Sequence, residues 1–224
     1  MRDSSTPDPV NMEGDAFIGV RVPVTRTIVS RHRDLSLGEC GVLLSSPVHE
    51  DRLAGLLVLV DQFLRAAKRP ADDPRCAELH LFYLDALRAG QVDNWDLVDS
   101  SAEYLVGQQL IRTDASLELL TRLALSDSLW ERRVAIVATF AFIKSGLAEP
   151  TFEVSDLLLQ DGEDLIHKAV GWMLREVGKR VSREALLAFL EENAGRMPRT
   201  ALSYATEHLS ADERARFRAA PRIG

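Results

Sequence analysis

The chain has 224 residues, of which 46% are hydrophobic, 27% charged and 6% aromatic. That is enough apolar material to bury the core of one large domain or two small ones, and it excludes collagen-like, low-complexity and wholly disordered chains. The balance of 27 basic and 34 acidic residues leaves a net charge of −7, which at first sight disfavours a nucleic-acid partner, because proteins that bind so dense a line of negative charge are usually basic.

Residues 1–10 read as a disordered leader. Met1 to Asp15 is polar, carries Pro7 and Pro9, and lacks the basic-then-apolar order of a signal peptide. Further along, the most apolar window, Val134 to Ile143, is about half the length of a membrane span. A cytoplasmic protein with no membrane partner is therefore expected. Cys40 and Cys76 lie far apart and outside any CxxC or Cys/His spacing, so both are expected as buried small hydrophobes, with no metal site and no cofactor.

From residue 11 to 224 the pattern is that of one domain, helix after helix. Apolar residues recur at helical spacing in Leu53, Leu56, Leu57, Leu59, Val60, Phe63 and Leu64, again in Leu79, Leu81, Phe82, Leu84 and Leu87, and again in Leu117, Leu119, Leu120, Leu123 and Leu125. Helix ends are marked at Ser46 and Pro47, Arg69 to Asp73, Gly90, Thr113 and Asp114, Ser126 to Ser128, Gly146 to Pro150, Asp161 and Gly162, Gly195 to Pro198, and Ser210. No segment of alternating β-branched residues competes. The expectation is an all-α protein of roughly ten or more helices. Their pairing in similar lengths favours a solenoid of HEAT-like or armadillo-like hairpins, with a concave groove, over a globular bundle.

Three clusters could carry chemistry. In Asp93-Asn94-Trp95-Asp96-Leu97-Val98-Asp99, two good N-cap residues start a helix, so Trp95 and Asp99 fall one turn apart on the same face while Leu97 and Val98 point into the core. The plainer alternative is a core aromatic beside a solvated acid. In Leu129-Trp130-Glu131-Arg132-Arg133-Val134-Ala135-Ile136, two arginines early in a helix oppose its dipole, which an anionic partner would explain. The plainer alternative is a pair of solvated guanidiniums heading the most apolar helix of the chain, which continues through Phe140, Phe142 and Ile143. In Ile166 to Glu176, Lys168, Trp172 and Arg175 share a face, and Gly171 leaves room for another backbone or a ligand. An aromatic ring between cations suits a nucleic-acid groove. His167 reads as a capping or surface histidine.

The net charge hides an asymmetry. Residues 162–224 hold eleven basic against nine acidic residues, or +2, which leaves −9 on residues 1–161. Only four basic residues are lysines, Lys68, Lys144, Lys168 and Lys179, so nearly all the positive charge is guanidinium, the group suited to forked phosphate contacts. A polarised molecule is expected, acidic on a convex back and basic in its groove.

Taken together, NWDLVD, LWERRVAIVA and HKAVGWMLREVGKR, in this order, with FIGVRVPVTR before them and PRTALSYATEHLS after, resemble the AlkD-like family of HEAT-like DNA alkylation repair glycosylases, from about Asn11 to Phe217. The resemblance implies a C-shaped stack of helical repeats that holds duplex DNA in its concave face and hydrolyses the N-glycosidic bond of cationic N3- or N7-alkylpurines. It also implies that Trp95, Asp99 and Trp172 are the active-site aromatic, carboxylate and second aromatic, and that Arg133, or failing it Arg132, is the active-site arginine, with Lys168 and Arg175 as further DNA contacts. A monofunctional enzyme acting as a monomer follows, since a lyase needs an amine nucleophile and Lys168, the lysine near the site, is exposed by pattern. The rival expectation is a non-catalytic helical-repeat protein that binds DNA structure or a protein partner.

Overall fold

The computed structural model describes residues 15–69 and 73–222. The expected leader at residues 1–10, and residues 70–72 within the helix break expected at Arg69 to Asp73, lie outside them. Among the described residues the regular structure is helical, and the one β feature is an isolated parallel bridge between Ala16 and Val48. The chain divides into two compact units, with the boundary between Ser101 and Ala102.

The first unit holds α1 (Val22–Arg31), α2 (Leu37–Leu44), α3 (His49–Ala66) and α4 (Asp73–Arg88), and α5 (Trp95–Ala102) begins in it. Its core is α3, apolar on most of its circumference: Leu53, Leu56, Leu59 and Phe63 are fully buried, and α1, α2 and α4 all pack against it. A capping box starts α2, with Ser36 Oγ accepting from Glu39 N–H at 3.3 Å and the Glu39 carboxylate accepting from Ser36 N–H at 2.7 Å. After α4 the chain reverses at Gly90, whose φ of +73° is open to glycine at little cost.

The second unit starts with a π-helical turn, Glu103–Gln108, and continues through α6 (Gln109–Thr113), α7 (Glu118–Ala124), α8 (Leu129–Ala138), α9 (Phe140–Lys144), α10 (Glu149–Leu158), α11 (Asp164–Arg180), α12 (Arg183–Asn193), α13 (Arg199–Ala205) and α14 (Ala211–Arg218). Serines at 128, 182 and 210 cap α8, α12 and α14. At its centre lies α11, packed against α8, α9, α10, α12 and α13. In both units helices adjacent in sequence pack on one another, α2 on α3, α3 on α4, α7 on α8, α10 on α11 and α11 on α12, which is the order of a helical-repeat fold.

Two expected continuities are interrupted. The apolar helix from Leu129 to Ile143 breaks at Thr139, where both N–H and Oγ of Thr139 turn back to the Ile136 carbonyl, at 3.2 and 2.7 Å; the hydroxyl competes with the helical ladder. A widened turn also follows α5 directly. Gly107 lies in it, and a Cβ there would meet the Ala138 carbonyl oxygen at 2.1 Å. Backbone against backbone at that distance admits only glycine.

Candidate functional site

The α5 helix starts at Trp95, directly after Asp93 and Asn94. Asn94 C=O accepts the first intrahelical bond from Val98 N–H at 3.2 Å, and Leu97 and Val98 are completely buried. The indole of Trp95, at the first position of the helix, is 43% exposed, so it is not the core aromatic of the plainer reading. One turn on, Asp99 is half-buried. Beneath it lies Tyr83, fully buried, whose phenol is pushed well above its usual range by burial and further by the negative charge of Asp99; Ser101 Oγ, 3.1 Å from the phenol oxygen, works in the opposite direction. The intervening Asp96 contacts His49 Nε2 at 2.8 Å, a pairing across 47 residues that no local pattern announces.

Neither arginine of the α8 pair is a solvated guanidinium. Arg132 Nε donates to Asp161 Oδ2 at 2.6 Å, and its Nη1 reaches the carbonyls of Ser126 and Asp127 at 3.0 and 2.9 Å. Arg133 is 4% exposed and donates to the Leu165 carbonyl at 2.6 Å. These oxygens answer the unfavourable dipole that two cations meet near the start of a helix.

On α11, Lys168, Trp172 and Arg175 are all half-exposed while Ile166, Ala169, Val170, Met173 and Leu174 are buried, so the shared face read from the spacing is present. The room left by Gly171 is taken by backbone: a Cβ there would meet the Ala201 carbonyl oxygen of α13 at 2.4 Å. Lys168 Nζ lies 2.9 Å from Asp164 Oδ2, and that hydrogen bond, helped by one from Thr200, holds the Asp164 carboxyl below its usual range. Arg175 bridges Glu207 and Glu176. Burial raises the Glu176 carboxyl, but the hydrogen bond from Arg180 and the charges of Arg180, Arg175 and Lys179 together leave it lowered. His167 Nε2 is 2.6 Å from the Asp161 carbonyl, a local tie of the capping kind.

Sequence spacing misses the surroundings of Trp172. Phe140 lies beside it, ring centroids 6.0 Å apart. Lys144 Nζ sits 4.6 Å from the Phe140 centroid and 5.8 Å from that of Tyr104, with the Arg180 guanidinium 5.3 Å from Phe140. Lys144 is also 2.6 Å from the buried Glu103 carboxylate. The break at Thr139 and the π turn bring Phe140 and Tyr104 here, and neither is legible in the apolar pattern. In this unit the arrangement is an indole flanked by cations and a second ring, suited to a flat or anionic partner. Among the described residues no group of three or more His, Cys, Asp or Glu side chains is placed to hold a metal ion, and no helix is long and apolar enough to cross a membrane.

Comparison with known proteins adds three findings. No curated protein matches this chain. A solved structure described as a predicted DNA alkylation repair enzyme from Enterococcus faecalis superposes with a TM-score of 0.68 at 14% identity, over 89% of this chain and 91% of that one, a likeness of fold. The family model for DNA alkylation repair enzymes matches residues 6–209. With nearly the whole chain matched and the helical order described above, the chain belongs to the DNA alkylation repair enzyme family.

Proposed function

We propose that residues 11–224 form one domain acting as a monofunctional DNA glycosylase, which hydrolyses the N-glycosidic bond of cationic N3- or N7-alkylpurines in duplex DNA. In this reading Asp99, Trp95 and Trp172 are catalytic, Arg133, Arg132, Lys168 and Arg175 bind DNA, and the enzyme works as a cytoplasmic monomer without metal or cofactor. The observation that carries it is the outward-facing indole of Trp95 with the half-buried carboxylate of Asp99 one turn below. A large ring left in water on the first turn of a helix, beside an acid, is poorly explained by packing.

Alkylation at N3 or N7 makes the purine cationic, so the base departs neutral and needs no general acid. As the bond from C1′ to the base nitrogen lengthens, its electron pair leaves with the base and the sugar gains oxocarbenium character. Asp99 stabilises that charge, orients the attacking water and takes its proton as the new C1′–O bond forms. Indole faces from Trp95 and Trp172 add roughly 0.5–2 kcal/mol of cation stabilisation each. The products are free base and an abasic site. Lys168 Nζ is held 2.9 Å from the Asp164 carboxylate and Lys144 Nζ 2.6 Å from that of Glu103, so the two lysines by Trp172 are both engaged by acids, which supports hydrolysis without strand cleavage.

The test is incubation with duplexes carrying N7-methylguanine, N3-methyladenine or one bulky N3 adduct, followed by detection of free base. Wild-type chain should release base and leave strands intact, and Asp99→Asn should slow release by at least about 10²-fold with DNA affinity retained. Full activity in Asp99→Asn removes Asp99 from the mechanism, and no release from any substrate by the wild-type chain leaves a non-catalytic DNA-binding repeat protein as the reading.

A further inference from the structure

A largely buried polar network flanks Trp95 at the entry of α5. His49, the first residue of α3, is 4% exposed. Its Nδ1 lies 3.1 Å from Asp15 Oδ2 and its Nε2 2.8 Å from Asp96 Oδ2, and Phe17 stacks on its ring with centroids 4.6 Å apart. One turn along α3, Arg52, 6% exposed, forks between Asp15 Oδ1 and Asp93 Oδ1. Asn94 Nδ2 donates to Asp15 Oδ2 at 3.1 Å. The segment carrying Asp15 is itself fixed on α3, because the Glu50 carboxylate gathers the N–H groups of Ile18, Gly19 and Val20 at 3.1, 2.8 and 3.2 Å, and Ala16 bridges to Val48 and His49.

Asp93, Asn94 and Asp96 thus each end in the same network, and between them Trp95 turns to solvent. Taking His49, Arg52 and Asp15 largely out of water costs more than an apolar contact of the same area would, and such a cluster gives little net stability. What it provides is direction, since each fork and ring nitrogen accepts only a narrow range of geometries. An indole that must present one face to a partner needs its backbone held on both sides.

We propose that His49 and Arg52 are positioning residues that fix Trp95 on the first turn of α5 through Asp15, Asp93, Asn94 and Asp96. This rests on the reading of Trp95 as an active-site aromatic. His49 and Arg52 touch neither base nor sugar; they set the orientation in which the indole meets its ligand.

The full chain labelled with 5-fluorotryptophan gives three fluorine resonances, from Trp95, Trp130 and Trp172, and Trp95→Phe assigns the first. In His49→Gln and in Asp96→Ala the Trp95 resonance should shift or broaden, while those of Trp130 and Trp172 hold their positions. Asp96→Asn keeps an acceptor oxygen for His49 and should return the wild-type Trp95 resonance. With N7-methylguanine duplex, His49→Gln should lower kcat at least tenfold with KM changed less than twofold. Asp96 lies at the edge of the network, its side chain 24% exposed, so Asp96→Ala tests the idea even if His49→Gln fails to fold. An unmoved Trp95 resonance in Asp96→Ala overturns the positioning role whatever the activity. A wild-type chain that releases no base overturns the proposed function instead, and the fluorine spectra of the free protein still decide the positioning role.

Discussion

Gly171→Ala is the sharpest test of how α11 is seated. On an isolated helix the change would be favourable by about 1 kcal/mol, since glycine is the poorest ordinary residue in a helix interior. Here the new Cβ would stand 2.4 Å from the Ala201 carbonyl oxygen and 2.5 Å from Tyr204 Cβ, where ordinary contact begins at 3.4 Å. The obstacles are a backbone oxygen and the root of a side chain, neither of which can rotate away, so α13 must retreat by about 1 Å at the upper end of the overpacking cost, roughly 3 kcal/mol. The difference is a net loss of about 2 kcal/mol, or a Tm lower by roughly 4–8 °C for a chain of this size. Gly178→Ala is the internal control: its closest contact, also at 2.4 Å, is the Leu186 Cδ2 methyl, the far end of a flexible side chain that can turn aside, so its Tm should fall much less. Scanning calorimetry without DNA, at one concentration for all three proteins, reads both. If Gly171→Ala melts at or above the wild-type temperature, helix propensity has won and the close seating of α13 on α11 is wrong.

Three further outcomes follow from the side chains. Arg133→Ala should lose about 1.5–3 kcal/mol with the hydrogen bond from a buried guanidinium to the Leu165 carbonyl, and should lower the salt slope of DNA binding by about 0.9 if Arg133 also meets one phosphate; a lowered Tm with an unchanged slope confines it to a structural role. Because the Glu176 carboxyl is held below its ordinary value of 4.5 in the folded chain, the folded state is favoured above that value and the advantage is lost as pH falls through the lowered value. Glu176→Gln should therefore flatten the fall of Tm on the acid side of pH 4.5, and an unchanged acid limb would refute the pairing with Arg180 and Arg175. Cys40, buried with its thiol pushed up to about 11 by desolvation and the nearby charge of Glu39, should not react with a disulfide reagent at pH 8 until the chain is unfolded; rapid native labelling of Cys40 would contradict its burial.

Much of the helical order is legible in the sequence because its signals are local. Ser36 followed by Glu39 writes a capping box, Gly90 and Asp114 sit where left-handed turns end α4 and α6, and the apolar stripe of α3 declares its burial. The inward turn of Leu97 and Val98 and the shared face of Lys168, Trp172 and Arg175 follow from helical period alone. What escapes are features that depend on partners distant in sequence. Nothing around His49 announces that Asp15 and Asp96 will meet its two ring nitrogens. Nothing in LWERRVAIVA says that Arg133 will end on Leu165. The π turn and the break at Thr139 are responses of backbone to packing, and through them Phe140, which the apolar pattern carries along the helix begun at Leu129, comes to stand beside Trp172.

The cations that would meet DNA already have oxygen partners: Arg132 has Asp161, Lys168 has Asp164, Arg175 has Glu207 and Glu176, and Arg133 has a carbonyl. Association with a polyanion is then an exchange of partners. Each phosphate that captures Lys168 or Arg175 releases counterions from the duplex but also frees a carboxylate that gathers cations of its own. The salt slope of binding must then understate the number of phosphates contacted. A freed acid would couple the same event to protons: Asp164, lowered in the free chain chiefly by its hydrogen bond from Lys168, would move back toward its ordinary value once Lys168 turned to a phosphate. Binding near and below the ordinary Asp164 value of 3.8 should then be accompanied by proton uptake, by the linkage that ties any shifted group to the equilibrium that shifts it. If the proposed contacts form, these four cations would give up partners they already hold, so the duplex would be bound less tightly and released more readily than by unpartnered cations.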